Sequence, residues 1–385
     1  MLAVAGGVAA YQAAEVARLL VLSGARVLPV MTPEARLYLG RLTLEELTGE
    51  AVHEALSEAD PARTADLILL VPAPADLLSP VAGGLTAQAL EAPCPVLAVS
   101  GGVAKGAPPP RDASGKQIEL VGALDGIPGT LAPAIAAAAL ARATPCDLAG
   151  LRVVVTAGPT VEDLDPVRFL GNRSTGKMGF AVAARAVARG AEVTLIAGPV
   201  SLPTPFGALR VDVRGALAMR AALWQVLGAD LAGADALIMT AAVADYRPAE
   251  AHPGKRKRTA ANLTLELVPN PDLLAEIGAA RAALASPALP ALIGFAVETE
   301  SDPQVVAYAR GKLEAKRVDL VVANHASDAF GRDDNRATLV DRRGAEPLGV
   351  LPKLELADRI LDRAAGLCRR SSRGTPESVP RPACR

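Results

Sequence analysis

Ser174-Thr175-Gly176-Lys177 puts two hydroxyls, a glycine and an ammonium in four consecutive residues. They stand just before Phe180–Arg189, a run that predicts a helix ending at Gly190. Hydroxyls, backbone N–H groups and a cation at a helix start hold a phosphate well. Upstream, the apolar run Leu151–Val155 predicts a buried strand. Ala157-Gly158-Pro159-Thr160 predicts a tight turn directly after it, where Gly158 permits close approach of a ligand. Both segments then lie at the carboxyl end of a strand, where open α/β sheets bind ligands. The spacing is neither that of a Walker A loop nor G-x-G-x-x-G. Taken alone, the Ser-Thr-Gly-Lys piece is equally well explained as an ordinary capped connection.

Other cations and one acid could join this site. Lys255-Arg256-Lys257-Arg258 follows Pro253-Gly254 in a polar loop, and Lys312 and Lys316 share one face of a predicted helix. Without context, both groups read as solvated surface. Asp245 follows a strand and the small residues Ala241 and Ala242, against which a nucleotide can lie.

Two α/β sheets must position these groups. In the first half, strands are expected at Met1–Val4, Val27–Met31, Leu67–Val71 and Val96–Val99, with a helix over Ala9–Leu22. In the second, strands are expected at Arg152–Val155, Val193–Ile196, Ala236–Met239, Ala291–Phe295 and Val318–Val322. Helices fall between, at Phe180–Arg189, Ala216–Leu227, Pro271–Leu284 and Pro303–Lys316. Such alternation predicts doubly wound α/β domains. Ala337–Val340 and Glu346–Leu348 suggest an antiparallel ribbon, and Pro352–Leu367 a closing helix. The domains are expected at 1–147 and 148–368, with a disordered tail over 369–385. Lys105–Gly115 reads as an exposed loop.

The 385 residues, 51% hydrophobic and 21% charged, suffice for two cores. Aromatics are only 3%, so the cores rest on Ala, Val and Leu. A net charge of −1 gives no field that draws nucleic acid or an anionic membrane. No apolar run is long enough to span a bilayer, and the N-terminus lacks a signal peptide's basic region. Cys94, Cys146, Cys368 and Cys384 show no metal or redox spacing. A reduced, cytoplasmic protein is expected.

The stretch Thr156–Gly179 as a whole resembles the signature of phosphopantothenate–cysteine ligases: T-A-G-P-T, then D-P-V-R, then N-x-S-[ST]-G-K-M-G. Here Thr156–Thr160, Asp165–Arg168 and Asn172–Gly179 carry it. The resemblance implies that 4′-phosphopantothenate, L-cysteine and CTP are joined through an acyl-cytidylate, with Mg2+ accompanying CTP. It implies that Asn172 binds the acyl-cytidylate carbonyl. Gly158, Pro159, Thr160, Arg168, Ser174, Thr175, Gly176 and Lys177 would hold substrate and phosphate. Thr240–Tyr246 matches the family's A-A-V-A-D-Y, giving Ala241, Ala242 and Asp245 to CTP. Lys255, in the family's basic loop, would act on the triphosphate and acyl-nucleotide. Gly294–Thr299 matches G-F-x-x-E-T and gives Phe295 a base or ribose to pack on. Lys312 and Lys316 match K-L-x-x-K-x-x-D and would hold nucleotide phosphates. Asn324 with Ser327, then Phe330-Gly331 and Asp334-Asn335, follow A-N-x-x-S and F-x-S-D-x-N, with Arg332 at the usual Ser. Phe330 joins the CTP set. No carboxylate cluster marks a metal site, so the triphosphate is expected to carry Mg2+. A homo-oligomer is expected.

In bacteria this ligase is usually fused behind a flavin-dependent phosphopantothenoylcysteine decarboxylase, and the first half resembles that family. Ala5–Gln12 is similar to its [ST]-G-G-I-A-A-Y-K flavin-phosphate turn, and Met31-Thr32 with Ala35 to its M-T-x-x-A. FMN would then contact Gly6, Gly7 and Thr32. Departures are plain. Asp76 replaces an Asn, Glu58 aligns with the family's His, and Ser100-Gly101-Gly102 stands where P-A-M-N belongs. Asp125 lies near the position of the acid Cys. His53, in His53–Leu56, aligns only with a gap and is the candidate decarboxylase residue. Decarboxylation needs a thiol proton donor and a gripping Asn, and Asp125 is ionised at pH 7 unless buried. Weak or absent decarboxylation is therefore expected, with an oligomerisation scaffold as the alternative for this half. A nucleotide-dependent reductase on the same fold would need a dinucleotide fingerprint that is missing.

Overall fold

The computed structural model describes residues 1–56, 65–73, 84–100, 118–123, 131–255, 263–284, 290–298, 302–325 and 332–372. It divides into two compact units, Met1–Pro145 and Cys146–Arg385.

The first unit runs β1 (Leu2–Val4), α1 (Gln12–Leu22), β2 (Pro29–Met31), α2 (Arg41–Thr48), β3 (Ile68–Leu70), α3 (Gly84–Glu91), β4 (Val96–Ser100), β5 (Ile118–Ala123) and α4 (Leu131–Ala143). The strands form a parallel sheet in the order β2-β1-β3-β4-β5. Side chains alternate faces along a strand. Leu2, Val4 and Leu69 therefore join one core with α1 and α4. Ala3, Ile68 and Leu70 join another that includes Ala89 of α3. Both faces are covered, which explains the continuous apolar runs.

Three expectations need correction here. The second strand starts at Pro29, not Val27. The chain enters α1 through a 3-10 turn over Val8–Tyr11, so the helix starts at Gln12 and not at Ala9. β5 was not expected, since it follows a long Pro/Gly-rich stretch. The loop Lys105–Gly115 lies outside the described residues, as do Glu58, Asp76, Gly101, Gly102 and Asp125.

The second unit contains β6 (Arg152–Ala157), β7 (Val161–Asp163), β8 (Phe169–Gly171), α5 (Lys177–Ala188), β9 (Glu192–Ala197), β10 (Leu209–Asp212), α6 (Ala216–Leu227), β11 (Ala236–Met239), β12 (Tyr246–Pro248) and β13 (Leu267–Pro269). It continues with α7 (Leu273–Ala282), β14 (Ala291–Glu298), α8 (Asp302–Ala315), β15 (Leu320–His325), β16 (Asp334–Asp341), β17 (Gly344–Pro352) and α9 (Lys353–Ser372). The main sheet has the order β10-β9-β6-β11-β14-β15-β16-β17. Its first six strands are parallel, and β16 and β17 add the expected antiparallel ribbon. Val153 and Val155 face a core shared with α5 and α9. Val154 faces a core shared with α6, α7 and α8.

Two short ribbons, β7–β8 and β12–β13, were not expected. Three-residue strands are too short to show an alternating pattern. The closing helix runs on to Ser372, through the first residues of the expected tail; residues 373–385 lie outside the described residues. Cys94 and Cys368 are buried free thiols. No helix among the described residues is long and apolar enough to cross a membrane.

A buried arginine ties this unit's first residues to α5 and α9. The Arg189 guanidinium, 7% exposed, donates to both oxygens of Asp147 at 2.9 and 2.6 Å and to Asp362 at 2.7 Å. It also meets the carbonyl of Asp358 at 3.2 Å. Burial alone would push it down, but Asp147 and Asp362 more than offset that and hold it above its ordinary value. Arg189→Met strands these acids, which are partly solvated, so we expect a loss of about 2–3 kcal/mol. For a unit of this size that lowers Tm by about 5–10 °C. Arg189 holds the Asp147 carboxyl below the usual range. The mutational loss should therefore be full above about pH 4 and fade as pH falls through the folded value. Thermal scans of both proteins at several pH values check this.

Candidate active site

Past the carboxyl ends of β11 and β14 the second unit holds a cleft of about 630 Å³. One wall is the start of α5. Gly176 caps it in the left-handed region, φ 79°, with no side-chain cap, and the Ser174 hydroxyl accepts from Gly176 N at 3.4 Å. The first N–H groups of a helix have no partner within it, so this corner offers donors of the kind that suit an anion. Asn172, Ser174, Thr175, Gly176 and Lys177 all line the cleft. Gly179 shows why the motif ends in glycine. A Cβ there would sit 2.4 Å from Thr240 Oγ1 and 2.5 Å from Ala157 Cβ, so the helix start can lie against β6 and β11 only without one.

The second wall is the loop after β11. Ala241, Ala242 and Asp245 line the cleft, and the loop is laced to β6 and the turn behind it. Thr240 Oγ1 donates to Thr156 O at 2.7 Å. Ala242 N donates to Gly158 O at 2.9 Å, and Thr160 N to Ala242 O at 3.2 Å. Ala244 N donates to Thr160 Oγ1 at 2.9 Å.

The expected phosphate turn is therefore placed differently. Gly158, Pro159 and Thr160 do not line the cleft; they stand behind the loop and hold it. Thr160 is fully buried and its hydroxyl is engaged. Gly158, at φ 78°, packs so closely on Val200 that a Cβ would come within 2.9 Å. Arg168 is also outside the cleft. Its guanidinium donates to Asp165 at 3.0 and 2.6 Å, and that buried carboxylate also fixes the turn by accepting from Val167 N and Arg168 N at 2.9 Å.

Asn172 bridges the two walls. Its Nδ2 donates to Ala242 O at 3.0 Å and to Val243 O at 3.3 Å. Phe295, half-buried, lines the cleft from β14 while packing on the core. Lys312 in α8 and Lys316 just past its end line it, and Lys316 pairs with Asp272 at 2.9 Å. Lys255 is exposed and outside the described cleft lining. Arg256, Lys257, Arg258 and Phe330 lie outside the described residues.

The structure adds residues to which the sequence reading gave no role. Asn270 Nδ2 donates to Ala244 O at 2.8 Å and Asn270 N to Asp245 O at 2.8 Å, bracing the loop. Asp272 caps α7 by accepting from Ala275 N at 3.0 Å; an Asp before an apolar run is a visible cap signal. Lys353, the first residue of α9, lines the cleft although nearly buried. Lys177 lies 2.7 Å from Asp333, whose carboxyl it holds below the usual range. Among the described residues no group of three or more His, Cys, Asp or Glu side chains is placed to hold a metal ion.

In the first unit, Gly6 and Gly7 follow β1 and Thr32 follows β2, so they gather at the carboxyl ends of adjacent strands. Thr32 Oγ1 accepts from Ala35 N at 3.2 Å. A Cβ on Gly6 would sit 2.6 Å from Glu34 Cβ. His53 lies beside β2, its backbone paired with Pro29 and Met31 at 3.0 and 2.9 Å.

Residues 148–367 match the family described as the DNA/pantothenate metabolism flavoprotein C-terminal domain, and residues 1–99 match the flavoprotein family. The coenzyme A biosynthesis bifunctional protein CoaBC of Vibrio cholerae is 37% identical over 94% of this chain and 96% of its own length. Its namesake in Mycolicibacterium smegmatis is 40% identical with the same coverage. A crystal structure of the C-terminal domain of a CoaBC protein, 36% identical, covers 58% of this chain and 98% of that one with a TM-score of 0.48. Near-complete coverage on both sides and matched models for both halves lead to one conclusion: the chain belongs to the CoaBC family of bifunctional coenzyme A biosynthesis proteins.

Proposed function

We propose that the second unit joins L-cysteine to 4′-phosphopantothenate at the expense of CTP. The chain is a coenzyme A biosynthesis protein with a ligase half and a flavoprotein decarboxylase half. The observation that carries the finer reading is the convergence on one cleft of the α5 start with Lys177, the Lys312–Lys316 pair and the loop bearing Asp245. A carboxylate has a poor leaving group. Joined to CMP it gains a good one, and the cysteine amine can then attack. Two phosphorylated anions must be held together for this, which requires cations and backbone donors. Asn172 would turn its longer bond, the 3.3 Å contact to Val243 O, toward the acyl-cytidylate carbonyl. Lys255 would meet the triphosphate from the cleft's rim. With no carboxylate trio among the described residues, Mg2+ would ride on the triphosphate and neutralise part of its charge.

The described part of the first unit fits a flavin mononucleotide at Gly6, Gly7 and Thr32. These sit where such a sheet takes a nucleotide, and bound FMN would supply the redox chemistry of decarboxylation. His53 receives no step.

The test is pyrophosphate release with phosphopantothenate and either CTP or ATP, followed by addition of cysteine. CTP should support release, and Lys255→Ala should lower kcat/KM about 10²-fold. Release with ATP alone would overturn the nucleotide assignment, and an unaffected variant would overturn the role of Lys255. A flavin absorption spectrum in the purified protein is expected; colourless protein would remove FMN.

A further inference from the structure

Lys353 is 6% exposed yet lines the cleft. Its ammonium donates to the carbonyl of Arg332 and, at 3.0 Å, to that of Asp334. Its backbone N–H donates to Asp333 O at 2.9 Å. An ammonium has three donors, and the third has no partner among the described residues. Two buried amides also line the cleft. Asn324 and Asn335 are 3% and 2% exposed, and neither Oδ1 has a hydrogen-bond partner among the described residues. Asn324 pairs in register with Ala337, two residues beyond Asn335, so both amides occupy one face of the sheet.

Buried polar groups are almost always satisfied, and an exception calls for an explanation. Burial, then the charge of Lys177, hold the Lys353 ammonium below its ordinary value, with Asp333 and Asp334 opposing and Arg332 adding to the effect. Lys177 and Lys353 both line the cleft, and two cations on one cleft gain from an anion between them.

We propose that Lys353, backed by Asn324 and Asn335, forms a subsite for an anionic oxygen of the molecule in the cleft. This rests on the ligation reading above. Two substrates carry such an oxygen: the nucleotide, on a phosphate, and cysteine, on its carboxylate.

The test compares wild type with Lys353→Met and Lys353→Gln, the second keeping a polar group should the first not fold. KM is measured for CTP and for cysteine, with cysteamine, which lacks the carboxylate, as alternative acceptor and inorganic pyrophosphate as inhibitor. A phosphate at this corner predicts that KM for CTP and the inhibition constant of pyrophosphate rise about tenfold or more, with cysteine still preferred to cysteamine. A carboxylate predicts a tenfold rise in KM for cysteine and loss of that preference, with CTP unaffected. Folded variants in which all of these stay within about twofold of wild type overturn the subsite. Wild type that does not ligate overturns the ligation reading instead. Calorimetric binding of pyrophosphate and of cysteine, wild type against variants, then decides the subsite: weaker binding of either in the variants supports it and equal binding of both overturns it.

Discussion

Asn172→Ala should lower cysteine-dependent CMP release and amide formation about 10²–10³-fold, chiefly through kcat, with Tm within about 2 °C of wild type. The side chain is exposed, so removing it leaves no cavity. Its Nδ2 nonetheless spans from the segment before α5 to the loop after β11, at 3.0 and 3.3 Å from two carbonyls. A donor aimed at a carbonyl whose oxygen gains charge in the transition state typically contributes two to three orders of magnitude in rate. Loss of such a donor shows in kcat more than in KM. Asn172→Asp sharpens the test. It keeps the shape but cannot donate, and it sets a carboxylate beside phosphates. It should fall at least as far as alanine and also raise KM for CTP. A variant that keeps wild-type kcat would remove Asn172 from the reacting centre.

The parts of this site legible in the sequence were those in which one short motif sits at the end of one strand. Ser174–Lys177, Ala241–Asp245, Phe295 and the Lys312–Lys316 pair meet in one cleft, because parallel strands deliver their following loops to the same edge of the sheet. Less legible was the part that depends on which loop a turn packs against. Gly158–Thr160 has the composition of a ligand turn. Yet the donors and acceptors that would have met a ligand meet the loop at 240–244 instead, and nothing local in the sequence announces that. For a related reason Lys353 was not singled out. It stands at the head of a closing helix, and the carbonyls of Arg332 and Asp334, brought to it by β16 and β17, take its ammonium. The first unit's fold was readable from its apolar runs. Most of its departures from the decarboxylase pattern fall outside the described residues.

Gly179→Ala should cost the second unit about 2–3 kcal/mol, a fall in Tm of about 5–10 °C, and lower ligation about 10²-fold in the protein that remains folded. The added carbon would meet Thr240 Oγ1 at 2.4 Å and Ala157 Cβ at 2.5 Å. Neither neighbour can yield cheaply. Thr240 Oγ1 is bonded to Thr156 O at 2.7 Å, and Ala157 ends β6 between strands on both sides. The strain must therefore move α5 away from the sheet. That carries Lys177 and the first-turn N–H groups away from Asp245, Lys312 and Lys316, and a displacement of about 1 Å is enough for such a loss of rate. Gly366→Ala is the matched control. It adds the same methyl within α9, where nothing lies within 4 Å, and helix propensity favours it by about 0.5–1 kcal/mol. It should raise Tm slightly and leave the rate alone. If Gly179→Ala behaved like that control in thermal scans and in pyrophosphate release, close packing of α5 on β6 and β11 would not be what forms the cleft, and the glycine that ends the motif would need another explanation.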